Sequence, residues 1–223
     1  MVTPVGEHAF QLNSPAGPLD ACLLQPALAV AQLVFAHGAG AGFQHATMSA
    51  LAHAFADEGL ATLRFNFPFM QQGKRRVDKP SVCTQAIVSA AAELQQRDSI
   101  PLFLGGHSFG GRMCSHAVVD HQMACAGLIF CSFPLHVAKK PGVERAAHLP
   151  QIHQPMLFLS GTRDDLAEPS LLKEVVANLP TARMHWLDTA NHSYTVLKRT
   201  RTHHLSVFEE IARTARLFVD EVI

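Results

Sequence analysis

No run of apolar residues in this 223-residue chain approaches the length of about 20 needed to span a bilayer. The first ten residues, Met1 to Phe10, also lack the basic start and apolar stretch of a secretory signal. An excess of charge of either sign is missing as well. The 18 Lys and Arg are matched by 18 Asp and Glu, so the basic surplus typical of nucleic-acid binders is absent, and neither nucleic acid nor membrane is an expected partner. The five cysteines, Cys22, Cys83, Cys114, Cys125 and Cys131, are odd in number and form no CxxC pair. They read as buried free thiols of a reducing compartment, and a cytoplasmic protein is expected. Histidines are plentiful, but there is no HExxH or HxH, and the neighbours His203 and His204 point to different faces of any helix. No metal site and no cofactor are expected. Repeats, low-complexity tracts and linkers are also lacking, so residues 1–223 are expected to form one domain.

What is present suits a large buried core. Apolar residues make up 48% of the chain and charged residues 16%, and a domain of this size buries roughly 70% of its unfolded surface without needing a disulfide or a metal. Short apolar runs alternate with longer helical patterns. Leu33–Ala36, Ala61–Phe67, Pro101–Gly106, Ala126–Phe133, Pro155–Ser160 and Ala182–Leu187 read as strands. Several are continuous rather than alternating, as strands covered on both faces are. His45–Glu58, Ser81–Arg97, Phe109–Gln122, Pro169–Asn178 and Arg199–Glu221 read as helices. Strand and helix in alternation predict a doubly wound, mostly parallel α/β sheet with helices on both faces. The polar, Pro/Gly-punctuated segment His8–Gln25 offers one or two antiparallel strands at the sheet edge.

One motif carries chemistry. Gly106-His107-Ser108-Phe109-Gly110 fits G-x-S-x-G, and it lies directly between an apolar strand pattern and a helical one. That strand-turn-helix setting is what a nucleophile elbow requires. The two glycines leave room for a strained turn, and the helix N-terminus aims free N–H groups and the positive end of its dipole at the serine.

On these residues the sequence resembles the α/β-hydrolase superfamily, from about Leu33 to Tyr194. It is most similar to the compact, lidless branch related to dienelactone hydrolases, which includes proteins likened to testis-expressed protein 30 and to a KAT8 regulatory complex subunit. The resemblance implies the chain order nucleophile, acid, histidine. The acid of similar hydrolases sits in a G-x-x-D turn, which here is Gly161-Thr162-Arg163-Asp164, so Asp164 is the matching position and its neighbour Asp165 the fallback. The strand before it ends in Cys131-Ser132-Phe133-Pro134, with no carboxylate to compete. His192, in Ala190-Asn191-His192-Ser193-Tyr194, matches the histidine by order and by its place after the last strand. Neutral His192 would take the Ser108 proton and pass it to the leaving group, while Asp164 would hold its tautomer. The turn His37-Gly38-Ala39-Gly40 matches the oxyanion turn, making the backbone N–H groups of Ala39 and Phe109 the expected donors. Losing one such donor typically costs about 3 kcal/mol of transition-state stabilisation. The same Gly-rich turn lacks the Lys-Ser/Thr ending of a phosphate-binding loop, and His37 and His107 read as structural supports.

The substrate is less legible. Arg64 at a strand end, Arg75 and Arg76 in the basic loop that follows, and Arg112 one turn into the helix after Ser108 are candidates for binding an anionic part of the substrate, though a solvated basic loop and structural ion pairs explain them as well. The stretch Leu135–Gln154 is too short for a helical cap, so the site is expected to be open and to take a small ester-type substrate. A non-catalytic interaction module on the same scaffold and an acyltransferase are the competing readings. The oligomeric state is not readable.

Overall fold

The computed structural model describes residues 6–223. Eight strands form one sheet: β1 (Gly6–Leu12), β2 (Leu19–Gln25), β3 (Ala31–Ala36), β4 (Leu60–Phe65), β5 (Leu102–His107), β6 (Gly127–Cys131), β7 (Met156–Gly161) and β8 (Ala182–Leu187). Their order is β1-β2-β4-β3-β5-β6-β7-β8. The hairpin β1–β2 is antiparallel and joins β4 antiparallel, and every other neighbouring pair is parallel. The polar segment His8–Gln25 therefore does supply an antiparallel edge. β3 through β7 are buried along nearly their whole length, which explains their continuous apolar sequences.

Both faces are covered. α1 (Ala46–Asp57) and α6 (Val207–Val222) close one side, where Phe35, Leu51, Phe55, Ile211 and Phe218 pack together. α3 (Pro80–Arg97), α4 (Phe109–His121) and α5 (Pro169–Ala177) cover the other, over Val34, Leu104, Phe130 and Phe158. A four-residue helix α2 (Pro68–Gln71) follows β4. It shortens the strand expected over 61–67, because Pro68 has no N–H for a ladder and begins a helix well. No cap domain interrupts the sheet. Between β6 and β7 there are only short 3-10 turns at Glu144–Ala146 and Leu149–Gln151. No described helix is long and apolar enough to cross a membrane.

The last helix begins later than expected, at Val207 rather than Arg199. Ser206 is the reason. Its hydroxyl accepts from the Glu209 N–H at 3.3 Å, and the Glu209 carboxylate accepts from the Ser206 N–H at 2.8 Å, a capping box that fixes the helix start. Ser206→Ala is expected to lower stability by about 1 kcal/mol, read as a lower urea midpoint at unchanged m-value.

The chain leaves β3 for β4 on one side and returns to β5 on the other, so β3 and β5 flank the switch point of the sheet. The crevice beyond their C-terminal ends is where doubly wound sheets bind ligands. His37 follows β3 there, and Ser108 follows β5.

Candidate active site

Ser108 sits on the turn between β5 and α4 with φ 53° and ψ −117°, a conformation costly for a residue with a Cβ. Two close approaches hold it. A Cβ on Gly106 would lie 2.3 Å from the Ala36 carbonyl oxygen, and one on Gly110 would lie 2.1 Å from the same atom. Only glycine lets the elbow seat so tightly on the end of β3. The Ser108 N–H donates to the Cys131 carbonyl at 2.8 Å, which ties the turn to β6 as well.

The other two residues of the site arrive on loops after β7 and β8. Asp164 follows the end of β7 and is buried, whereas Asp165 is exposed. The Leu166 N–H donates to Asp164 Oδ1 at 2.9 Å. His192 lies in a loop shaped by Asn191, whose Oδ1 accepts from the N–H groups of Ser193 and Thr195 at 3.1 and 2.9 Å, the pattern of an Asx turn. The Ser108 hydroxyl donates to His192 Nε2 at 2.8 Å, and His192 Nδ1–H donates to Asp164, both of whose oxygens lie at 2.8 Å. A carboxylate that accepts at Nδ1 leaves the lone pair on Nε2, facing the serine.

Two further histidines brace this arrangement. His37 Nε2 accepts from the Phe67 N–H at 3.0 Å, so Nδ1 carries the proton and donates to the Gly38 carbonyl at 2.7 Å. Burial pushes its pKa down to about 4, and it remains neutral while it fixes the turn that carries Ala39. His107 donates from Nε2 to the His192 carbonyl at 3.0 Å and packs edge-on against Tyr194. Burial, with the nearby His192 ring adding to it, lowers its pKa to about 4. Both histidines act through position rather than proton transfer.

A cleft of about 330 Å³ opens beside Ser108 and His192. Gly38 to Ala41 form one wall, and Met48 and Leu166 give it apolar surface. Ala39 is one of the residues of that wall. Phe109 is the first residue of α4, and its N–H has no partner within the helix. His45 and Thr47, at the start of α1, also line the cleft. Sequence reasoning missed them, although a helix start just after a Gly-rich turn at the sheet's C-terminal edge was the available signal. Another hollow, of about 340 Å³, lies between the β1–β2 turn and α3, and neither Ser14 nor Ser81 has a base among its lining residues.

None of the four arginine candidates lines the Ser108 cleft. Arg64 is a correction to the substrate-binding expectation. Its guanidinium is buried, pairs with Glu7 of the edge strand at 2.5 Å and donates to Ser49 Oγ of α1 at 2.9 Å, so it ties β1 to α1 across the sheet. Arg75 and Arg76 are exposed in the turn after α2. Arg112 projects from the first turn of α4 beside the Phe109 ring, its Cζ 5.7 Å from the ring centroid.

Comparison with known proteins agrees with this architecture. A family model described as an alpha/beta hydrolase domain matches residues 29–220. Among solved structures, an alpha-beta serine hydrolase homologue from Coxiella burnetii is 20% identical with a TM-score of 0.72, covering 96% of each chain. A serine hydrolase without a lid from Xanthomonas campestris is 18% identical with a TM-score of 0.70, covering 100% of this chain and 95% of its own. A dienelactone hydrolase from Anabaena variabilis is 17% identical with a TM-score of 0.76, over 97% of both.

Proposed function

The chain belongs to the alpha/beta hydrolase family, and from that premise we propose that it is a serine hydrolase of small carboxyl esters or thioesters, working through an acyl-enzyme on Ser108. The observation that carries the reading is His192, hydrogen-bonded at 2.8 Å to Ser108 on one ring nitrogen and to Asp164 on the other. A serine hydroxyl is a weak nucleophile at neutral pH and needs such a base.

Ser108 Oγ attacks the carbonyl carbon as its proton passes to His192 Nε2. Asp164 steadies the imidazolium, and the N–H groups of Ala39 and Phe109 receive the charge that develops on the carbonyl oxygen. Collapse breaks the bond to the leaving oxygen or sulfur, which takes the proton from His192. A water molecule, deprotonated by the same nitrogen, then releases the acid and restores the serine. The small cleft, with Met48 and Leu166 as its apolar surface and no guanidinium or ammonium in its lining, favours a short, uncharged acyl group over a long chain. The five free thiols fit a cytoplasmic setting.

A fluorophosphonate probe tests the proposal. The unaltered protein is expected to be labelled, while Ser108→Ala and His192→Ala are not. A folded protein that resists the probe would remove the catalytic reading in favour of an interaction module.

A further inference from the structure

The Gly-rich turn that carries Ala39 has little of its own to hold it. Among the described residues, Ala39, Gly40 and Ala41 make no hydrogen bond, and a Cβ on Gly40 would meet no atom within 4 Å. An oxyanion donor is worth its full effect only when it stays within about 3 Å of the place where charge develops. A stretch without bonds of its own must therefore be fixed from its ends.

Both ends are fastened to one place, the junction of β4 and α2. At the first end His37 Nε2 accepts from the Phe67 N–H at 3.0 Å, and the His37 ring packs edge-on against Phe67 with centroids 4.9 Å apart. At the far end the Phe43 N–H donates to Asn66 Oδ1 at 3.3 Å. Gly42 lies directly on the same amide, since a Cβ there would come 2.7 Å from Asn66 Oδ1 and 3.2 Å from Met70 Cγ. The amide can face only one way. A backbone N–H needs an acceptor, so Oδ1 turns to Phe43 and Nδ2 donates to Gln71 Oε1 at 3.3 Å. That oxygen is fixed in turn by the Asp20 N–H, which donates to it at 3.0 Å, while the Asn66 N–H donates to the Asp20 carbonyl at 2.9 Å. The turn is thereby tied through Asn66 and Gln71 to the start of β2. The Phe67 ring also packs edge-on against Phe109, the other expected donor, with centroids 5.6 Å apart.

We propose that Asn66 is a positioning residue for the reaction at Ser108: it clamps the far end of the turn 38–42 and so keeps the Ala39 N–H aimed at the developing oxyanion. The inference rests on the proposed hydrolase function. Asn66 does not line the cleft and acts through Gly42 and Phe43. A contact that tightens in the transition state contributes to kcat rather than to substrate binding, so loosening the turn lowers kcat and spares KM.

Asn66→Ala is expected to lower kcat on a short-chain ester at least about tenfold, approaching the roughly hundred- to thousandfold cost of losing a donor outright. KM should stay within about twofold. The inhibition constant of a trifluoromethyl ketone, whose adduct with Ser108 places an oxyanion at the same point, should rise by the factor by which kcat/KM falls. Asn66→Asp keeps an oxygen for Phe43 but turns another on Gln71 Oε1, and should fall between the parent and Asn66→Ala. Gly42→Ala drives a methyl group into the amide and should lower kcat by itself. Combined with Asn66→Ala it should cost less than the product of the two single losses, because the methyl then has room. Hydrogen exchange of the amides from Gly38 to Phe43 should quicken in Asn66→Ala, a readout that needs no activity. Unchanged kcat, a loss carried by KM alone, or unchanged exchange in this segment overturns the clamp. If Asn66→Ala fails to fold by circular dichroism, Asn66→Asp and Gly42→Ala carry the same comparison. A parent that neither hydrolyses the ester nor takes a fluorophosphonate ends the hydrolase reading and leaves the exchange result to decide the clamp. An active parent beside an equally active Asn66→Ala ends the clamp alone.

Discussion

Asp164→Asn is expected to lower kcat by about four orders of magnitude with the fold intact. The carboxylate is buried, its two oxygens both face His192 Nδ1 at 2.8 Å, and Oδ1 also accepts from the Leu166 N–H. Asparagine is nearly isosteric, but its amide has one acceptor and two donors. If its oxygen keeps the Leu166 N–H, its NH2 faces His192 and draws the ring into the tautomer with the proton on Nε2. That proton would then point at Ser108, and the ring could not act as its base. Substrate binding barely involves Asp164, which does not line the cleft, so KM should change little. Asp165→Asn is the internal control. Asp165 is adjacent in sequence but exposed, and its replacement should leave kcat within about twofold. Steady-state kinetics on a short-chain ester, with circular dichroism to check folding, separates the outcomes. Equal losses in the two variants would mean that the turn as a whole, and not the buried carboxylate, supports His192.

The contrast between these two aspartates shows how far the sequence could be read. Gly161-Thr162-Arg163-Asp164-Asp165 places two carboxylates at the end of one strand, and only the resemblance to known hydrolases favours the first. The backbone separates them physically, because the turn after β7 directs Asp164 inward and leaves Asp165 in water. The elbow was legible for a stronger reason. G-x-S-x-G between an apolar run and a helical one has a single geometric meaning, and the 2.3 and 2.1 Å approaches of Gly106 and Gly110 to Ala36 show why both glycines are needed.

Arg64 was not legible in the same way. Which face of β4 it points to, and that Glu7 and Ser49 wait there, depends on a hairpin and a helix far off in sequence. Arg145 and His148 belong to an irregular segment with neither helical nor strand period. Nothing in the sequence could have placed His148 against Ser115 of α4, or Arg145 against the His136 carbonyl. The late start of α6 was a readable signal overlooked, since Ser206-Val207-Phe208-Glu209 is a capping-box pattern, while the basic run from Lys198 to Arg201 reads as helix only by composition.

Those residues before α6 are held instead by a buried charge, and Glu210→Ala is expected to cost about 3–5 kcal/mol of stability. Glu210 is 4% exposed. Its carboxylate pairs with Arg201 and accepts from His185 Nε2 at 2.8 Å, with His203 Nδ1 at 3.8 Å. Arg201 is itself buried and donates from Nη1 to the Asp188 carbonyl at 2.7 Å. Removing the carboxylate strands the Arg201 guanidinium away from water, a larger penalty than the pair's own net contribution. It also removes an acid from the first turn of α6, where negative charge opposes the helix dipole. Glu210→Gln keeps an acceptor but not the charge, and should fall between the parent and the alanine variant in a urea titration. A loss below about 1 kcal/mol in Glu210→Ala would show that water reaches Arg201 and that the cluster behaves as a surface pair. The full loss would mean that one carboxylate on the last helix fastens the segment from Asp188 to Ser206. The loop bearing His192 is part of that segment, so fluorophosphonate labelling of Glu210→Ala should slow at temperatures well below its unfolding midpoint.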